Sequence, residues 1–63
     1  MNTKIKEQIL AVRETGLTNM FDINTVQRIA FNMNLHEFVD WIDTHKNEYT
    51  RFILYGDESN QLN

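Results

Sequence analysis

Two histidines and three neighbouring carboxylates are the residues of this chain whose types could do chemistry. His36 and His45 stand nine residues apart, and the sequence has no cysteine to complete a zinc site with them. Glu37, Asp40 and Asp43 follow His36 within two helical turns. Paired carboxylates act as acid and base only inside a cleft that shifts their pKa values. We therefore predict no metal, no cofactor and no catalytic residue.

The sequence also lacks the motifs that enzymes use to hold phosphate or to build a nucleophile. It has no glycine-rich phosphate loop, and its single serine, Ser59, lies in a polar C-terminal segment. A chain of 63 residues forms one small domain, because a domain of this size buries only about 60% of its unfolded surface. So small a bundle can hardly enclose a catalytic cleft. We predict that the protein is not an enzyme.

Composition and charge narrow the class of partner. With 41% hydrophobic and 24% charged residues the chain is expected to fold. Its net charge is −3, and residues 35–63 hold six acids against two bases. Nucleic-acid binders cluster Lys and Arg to neutralise phosphates, so the charge disfavours nucleic acid as a partner. No apolar run approaches the roughly 20 residues of a membrane span, and we predict a cytoplasmic protein without membrane contact.

The hydrophobic spacing predicts an all-α fold, a small bundle of three to four short helices. Apolar residues recur at helical spacings of three and four over residues 3–15, from about residue 23 to Asn34, and over 35–44. The pattern resumes over 47–55, and one bent helix is the alternative for these last two segments. We expect a single helical domain over residues 1–56 and a frayed polar tail over 57–63.

Polar residues and glycines predict where the helices begin and end. Asn2 or Thr3 is suited to cap the first helix, and Gly16 to close it in a left-handed conformation. Asp22 is suited to cap the second helix. The alternative is a capping box two residues later, formed by Asn24 and Gln27. Asn34 is expected to end the second helix and to cap the third, because Glu37 stands three residues later.

Large apolar residues that miss the core stripes are the candidate binding residues. At 100° per residue, Leu10, Phe31 and Trp41 each point well away from the core face of their own helix. Below about 70 to 80 residues one core seldom stabilises a domain by more than a few kcal/mol, and many small chains oligomerise. We predict a protein interface at Leu10, Phe31 and Trp41, with Glu37 and Asp40 beside them. The occupant is a second copy or another protein.

A helix-turn-helix regulator of DNA is the alternative from another class. The second and third predicted helices are joined at Asn34, with the small Ala30 where that motif favours one. The would-be recognition helix presents Glu37 and Asp40 and contains no Lys or Arg from Leu35 through His45. Acidic side chains repel phosphates, and this helix lacks the basic side chains that most often contact base edges. Packing within a bundle is the preferred interpretation.

One stretch of sequence resembles a known family. The string from Thr18 to Ala30, TNMFDINTVQRIA, resembles the core motif of a family of short uncharacterised proteins from phages and prophages of Firmicutes. The similarity extends over residues 1 to about 57 and brings no activity, cofactor or catalytic residue. It implies a bacterial host cytoplasm and action by protein binding, as an inhibitor or modulator of a host or defence factor such as a CRISPR nuclease. An acidic third helix would then meet a basic channel of the target.

Overall fold

Four α-helices and no strand make up residues 1–56, the part of the chain that the computed structural model describes. In chain order they are α1 (Thr3–Thr15), α2 (Ile23–Asn32), α3 (His36–Ile42) and α4 (Lys46–Tyr55). The prediction of a small all-α bundle is confirmed. The alternative of one bent helix is wrong, because a turn at residues 43–45 separates α3 from α4. The predicted frayed tail, 57–63, lies outside the described residues.

Side chains and a glycine define both ends of α1. The Asn2 side-chain oxygen accepts a hydrogen bond from the Ile5 amide at 2.8 Å. At the other end, Gly16 adopts a left-handed φ of +64° and its amide donates to the Arg13 carbonyl at 3.2 Å. Both groups satisfy backbone atoms that the helix leaves without partners. The predicted limits of this helix are confirmed.

The start of α2 depends on Asp22. Its carboxylate accepts hydrogen bonds from the Thr25 amide at 3.3 Å and from the Thr25 hydroxyl at 2.8 Å. The helix therefore begins with Asp22 as its cap, rather than with the capping box two residues later. In the connection before it, Met20 packs against the core whereas Leu17 and Phe21 are exposed.

The turn between α2 and α3 differs from the prediction. Asn34 has a left-handed φ of +64°, and in this turn the Leu35 amide donates to the Ala30 carbonyl at 2.9 Å. An N-cap needs an extended backbone, so Asn34 ends α2 but does not cap α3. The cap position is Leu35, which offers no side-chain bond. A side chain from α1 compensates, because the Gln8 amide oxygen accepts from the Phe38 amide at 2.9 Å.

The core is apolar and draws on all four helices. The ring of Phe38 is fully buried and stacks on the ring of Tyr49, with centroids 5.8 Å apart. Met33 continues the helical apolar spacing of Val26, Ile29 and Ala30, which predicts burial, but it lies in the turn after α2 and is 38% exposed. The buried residues among 1–56 are Ile5, Ile9, Val12, Val26, Ala30, Phe38, Ile42, Tyr49 and Phe52.

One polar atom in this core has a specific partner. The Tyr49 hydroxyl donates a hydrogen bond to the Met20 carbonyl, which connects α4 to the segment between α1 and α2. Burial raises the pKa of Tyr49 from 10.0 to about 12, since a phenolate loses its hydration in an apolar interior. The neutral phenol is therefore the form that the fold stabilises.

Replacing Asn34 tests the left-handed turn. We expect Asn34→Ala to lower the free energy of unfolding by about 1 kcal/mol, because alanine keeps the β-carbon that strains this conformation but lacks the local hydrogen bonding of asparagine. Asn34→Gly should stay within about 0.5 kcal/mol of wild type. Urea denaturation measures both. Equal stability of the two variants would contradict the assignment of this turn.

Replacing Tyr49 tests its buried hydroxyl. At pH 7, Tyr49→Phe should lower the free energy of unfolding by about 1 to 2 kcal/mol, because the Met20 carbonyl loses its donor. Wild type loses stability above pH 10, since only the unfolded tyrosine ionises between pH 10 and about 12. The gap between the two proteins should therefore shrink over that range. Denaturation at several alkaline pH values measures it, and Tyr55→Phe, at an exposed tyrosine, is the matched control.

Candidate protein-binding surface

The predicted interface residues lie at three places on the surface. Leu10 is 42% exposed on α1, next to Arg13 and Glu14 along the same side of that helix. Phe31 is 58% exposed near the end of α2. Trp41 is half-buried on α3 and packs against the core. No ring contact among residues 1–56 joins Phe31 to Trp41, so the rings belong to separate local surroundings.

The two acidic candidates are both exposed on α3. The Glu37 carboxylate lies 3.1 Å from the Lys4 ammonium of α1, in an ion pair exposed on both sides. Such pairs contribute little to stability because water and salt screen them. Asp40 is exposed and forms no ion pair with another of residues 1–56. The acidic side of α3 is thus partly engaged by α1 at Glu37 and open to solvent at Asp40.

Phe31 belongs to a hairpin of two antiparallel helices. Its ring meets the ring of His36 edge-on, with centroids 5.6 Å apart and planes at 73°. Further from the turn, the Gln27 side-chain amide donates to the Val39 carbonyl at 3.0 Å and to the Asp43 carboxylate at 2.9 Å. These contacts fasten α2 to α3 along their length. They leave most of the Phe31 ring in solvent.

Trp41 is engaged within its own protomer by a histidine. The rings of Trp41 and His45 are stacked, with centroids 4.9 Å apart and planes at 8°. The Nδ1 atom of His45 lies 2.8 Å from the Trp41 carbonyl and 2.9 Å from the Thr44 hydroxyl. His45 therefore covers one face of the indole and closes the C-terminal end of α3. Less of Trp41 remains for a partner than of Leu10 or Phe31.

Further exposed apolar side chains went unpredicted as binding residues. Leu17 and Phe21 lie between α1 and α2, and Met33 lies in the turn after Phe31. Helical spacing cannot reveal the exposure of Leu17 and Phe21, because both stand outside a helix, and for Met33 it indicates burial. Large apolar side chains that are exposed within residues 1–56 are Leu10, Leu17, Phe21, Phe31, Met33, Leu54 and Tyr55.

The charged side chains of the described part of the chain lie at its surface. Residues 1–56 contain no buried charged side chain. Nor do they contain a group of three or more His, Cys, Asp or Glu side chains placed to hold a metal ion. No helix among them is long and apolar enough to cross a membrane. What the surface offers is apolar area flanked by a few charges.

A comparison with known protein families matches residues 1–57 to one family model. The chain belongs to the family described as a domain of unknown function, DUF5049. The match covers all four helices. Comparison with curated proteins and with solved structures found no match.

Removing the His45 ring tests the arrangement around Trp41. His45→Ala should lower the free energy of unfolding by about 1 kcal/mol, because it removes a stacked ring and a bond to the end of α3. It should also expose the indole, so that Trp41 fluorescence shifts to longer wavelength. His36→Ala removes the other histidine, which contacts Phe31, and should leave Trp41 emission unchanged. Identical emission from wild type and His45→Ala would refute the stacked arrangement.

Proposed function

We propose that this protein is a non-enzymatic binding protein, which inhibits or modulates a bacterial host or defence factor by stoichiometric contact. The observation that carries the proposal is the exposure of seven large apolar side chains within residues 1–56. Burying such side chains against a partner is favourable, at about 1.5 to 3 kcal/mol for a Leu or Phe. The same residues hold no buried charged group that could act as catalytic acid or base.

The bacterial setting of the proposal comes from sequence resemblance. The motif from Thr18 to Ala30 is similar to that of short phage and prophage proteins of Firmicutes. Proteins of this size have little room for a catalytic cleft and act through their surface. A cytoplasmic inhibitor of a host or defence protein, including an anti-CRISPR-like protein, fits both the resemblance and the exposed apolar residues.

Leu10 is the residue best placed to contact such a target. It is 42% exposed on a helix whose neighbouring positions, Arg13 and Glu14, supply one charge of each sign. An apolar anchor within a polar rim is the usual anatomy of a protein interface. Asp40 and Glu37 add negative charge on α3, which favours a target surface with positive charge.

DNA regulation is the alternative, because α2 and α3 do form two short helices joined by the residues 33–35. The exposed side of α3 carries Glu37 and Asp40 and no lysine or arginine, and Asp43 follows at the end of the helix. That charge opposes a phosphate backbone. A mobility-shift assay at low salt distinguishes the two functions, and a sequence-specific shift at nanomolar protein would favour DNA binding over protein binding.

Affinity capture from a bacterial lysate tests the protein-binding function. We expect the tagged wild-type chain to retain one bacterial protein in a fixed molar ratio. Leu10→Asp should weaken this retention at least tenfold, because it places a charge where the partner would bury an apolar side chain. The variant Trp41→Ala, Glu37→Lys should also weaken it, whereas Lys46→Gln, at an exposed position of α4, should not. Identical partner lists from all four proteins, or no partner at all, would exclude the proposal.

A further inference from the structure

We propose that the α2–α3 hairpin is a self-association surface, on which two copies of the chain pair face to face. The two-fold axis runs along the hairpin between its helices, so that α2 of one copy lies over α3 of the second copy. The proposal goes beyond the proposed function, since it concerns the Phe31 face of the hairpin rather than the Leu10 face of α1, although Asp40 belongs to both. Closed two-fold dimers are the commonest assembly of identical chains.

The register of the hairpin places matching residues at the same height. Phe31 lies level with His36 through their ring contact of 5.6 Å. Arg28 is three residues before Phe31 and Asp40 four residues after His36, so both lie about 4.5 to 6 Å further from the turn, at 1.5 Å per residue. The hydrogen bonds from Gln27 to Val39 and Asp43 join the two helices at about the same distance from the turn.

The charged residues of the hairpin in one copy are complementary to those of the hairpin in a second copy. Arg28 is the single charged residue of α2, and α3 carries the acids Glu37 and Asp40. A two-fold axis along the hairpin preserves height and exchanges the helices. Arg28 of each copy therefore lies opposite Asp40 of the other. Within residues 1–56 neither side chain forms an ion pair with its own protomer, so both are available to a second copy.

The apolar centre of the same face follows from the same symmetry. Phe31, at 58% exposure, comes opposite His36 of the second copy, and Met33 lies in the adjoining turn at 38% exposure. Two helices of ten and seven residues present a face of roughly 300 Å², less than the ~800 Å² per partner of a standard interface. The dimer is therefore weak and reversible, with a dissociation constant of roughly 10 to 500 micromolar.

Sedimentation equilibrium of the full chain across that concentration range tests the dimer. Wild type should dimerise, more weakly at high salt because the reciprocal ion pairs are screened. Phe31→Asp, Arg28→Asp and Asp40→Arg should each raise the dissociation constant at least tenfold. The double variant Arg28→Asp, Asp40→Arg restores opposite charges across the axis and should return to within about threefold of wild type. Leu54→Asp, at an equally exposed apolar residue of α4, is the matched control and should dimerise like wild type.

Each result either supports or overturns the inference. A monomer at the highest concentration overturns it, as does a dimer that Phe31→Asp leaves intact or that the double variant fails to restore. Circular dichroism checks that the variants remain helical, and rescue by the double variant excludes loss of fold as the cause. The dimer and the proposed function fail separately: a monomer that still captures a bacterial protein through Leu10 removes only the dimer, and a dimer without a bacterial partner removes only the function.

Discussion

The stack of Phe38 on Tyr49 is the contact on which the remaining structure depends. It joins α3, the shortest helix, to α4, and both residues are fully buried among aliphatic side chains from α1 and α2. A core of nine buried residues among residues 1–56 gives the fold a small free energy of unfolding. One or two kcal/mol is a large share of the stability of so small a domain. Polar contacts therefore matter here more than in a larger protein. Three of them are the Gln8 cap on α3, the Tyr49 bond to Met20, and the ion pair between the Met1 ammonium and the Glu48 carboxylate at 2.7 Å.

Local sequence signals predicted the helices because their causes are local. Asn2, Gly16 and Asp22 act on backbone atoms within four residues, and hydrophobic spacing reports directly which face of a helix is buried. The error at Asn34 has a physical reason. Asparagine is suited to both an N-cap and a left-handed helix end, and spacing to Glu37 does not distinguish them. In the structure the Phe38 amide near the start of α3 donates to Gln8, thirty residues away. That contact cannot be read from the sequence around Asn34.

The candidate interface was predictable only in part, for a similar reason. A helical wheel identifies a side chain that turns away from its own core face, and Leu10 and Phe31 are indeed exposed. It does not show whether such residues meet. Trp41 illustrates the difference, because the stacking ring of His45 comes from beyond the end of α3. The exposed residues Leu17 and Phe21 lie outside the helices and have no periodicity to reveal them.

The attachment of α4 determines how the domain opens. This helix approaches the others less closely than α2 approaches α3, and it is held through its large side chains, Tyr49 and Phe52. The Tyr49 hydroxyl bonds to the backbone of the segment before α2, so release of α4 also frees that segment. α4 and this segment therefore form one cooperative unit, whose release also removes Tyr49 from its stack on Phe38. Through this bond, α4 holds in place a loop that lies nearly thirty residues earlier in the chain.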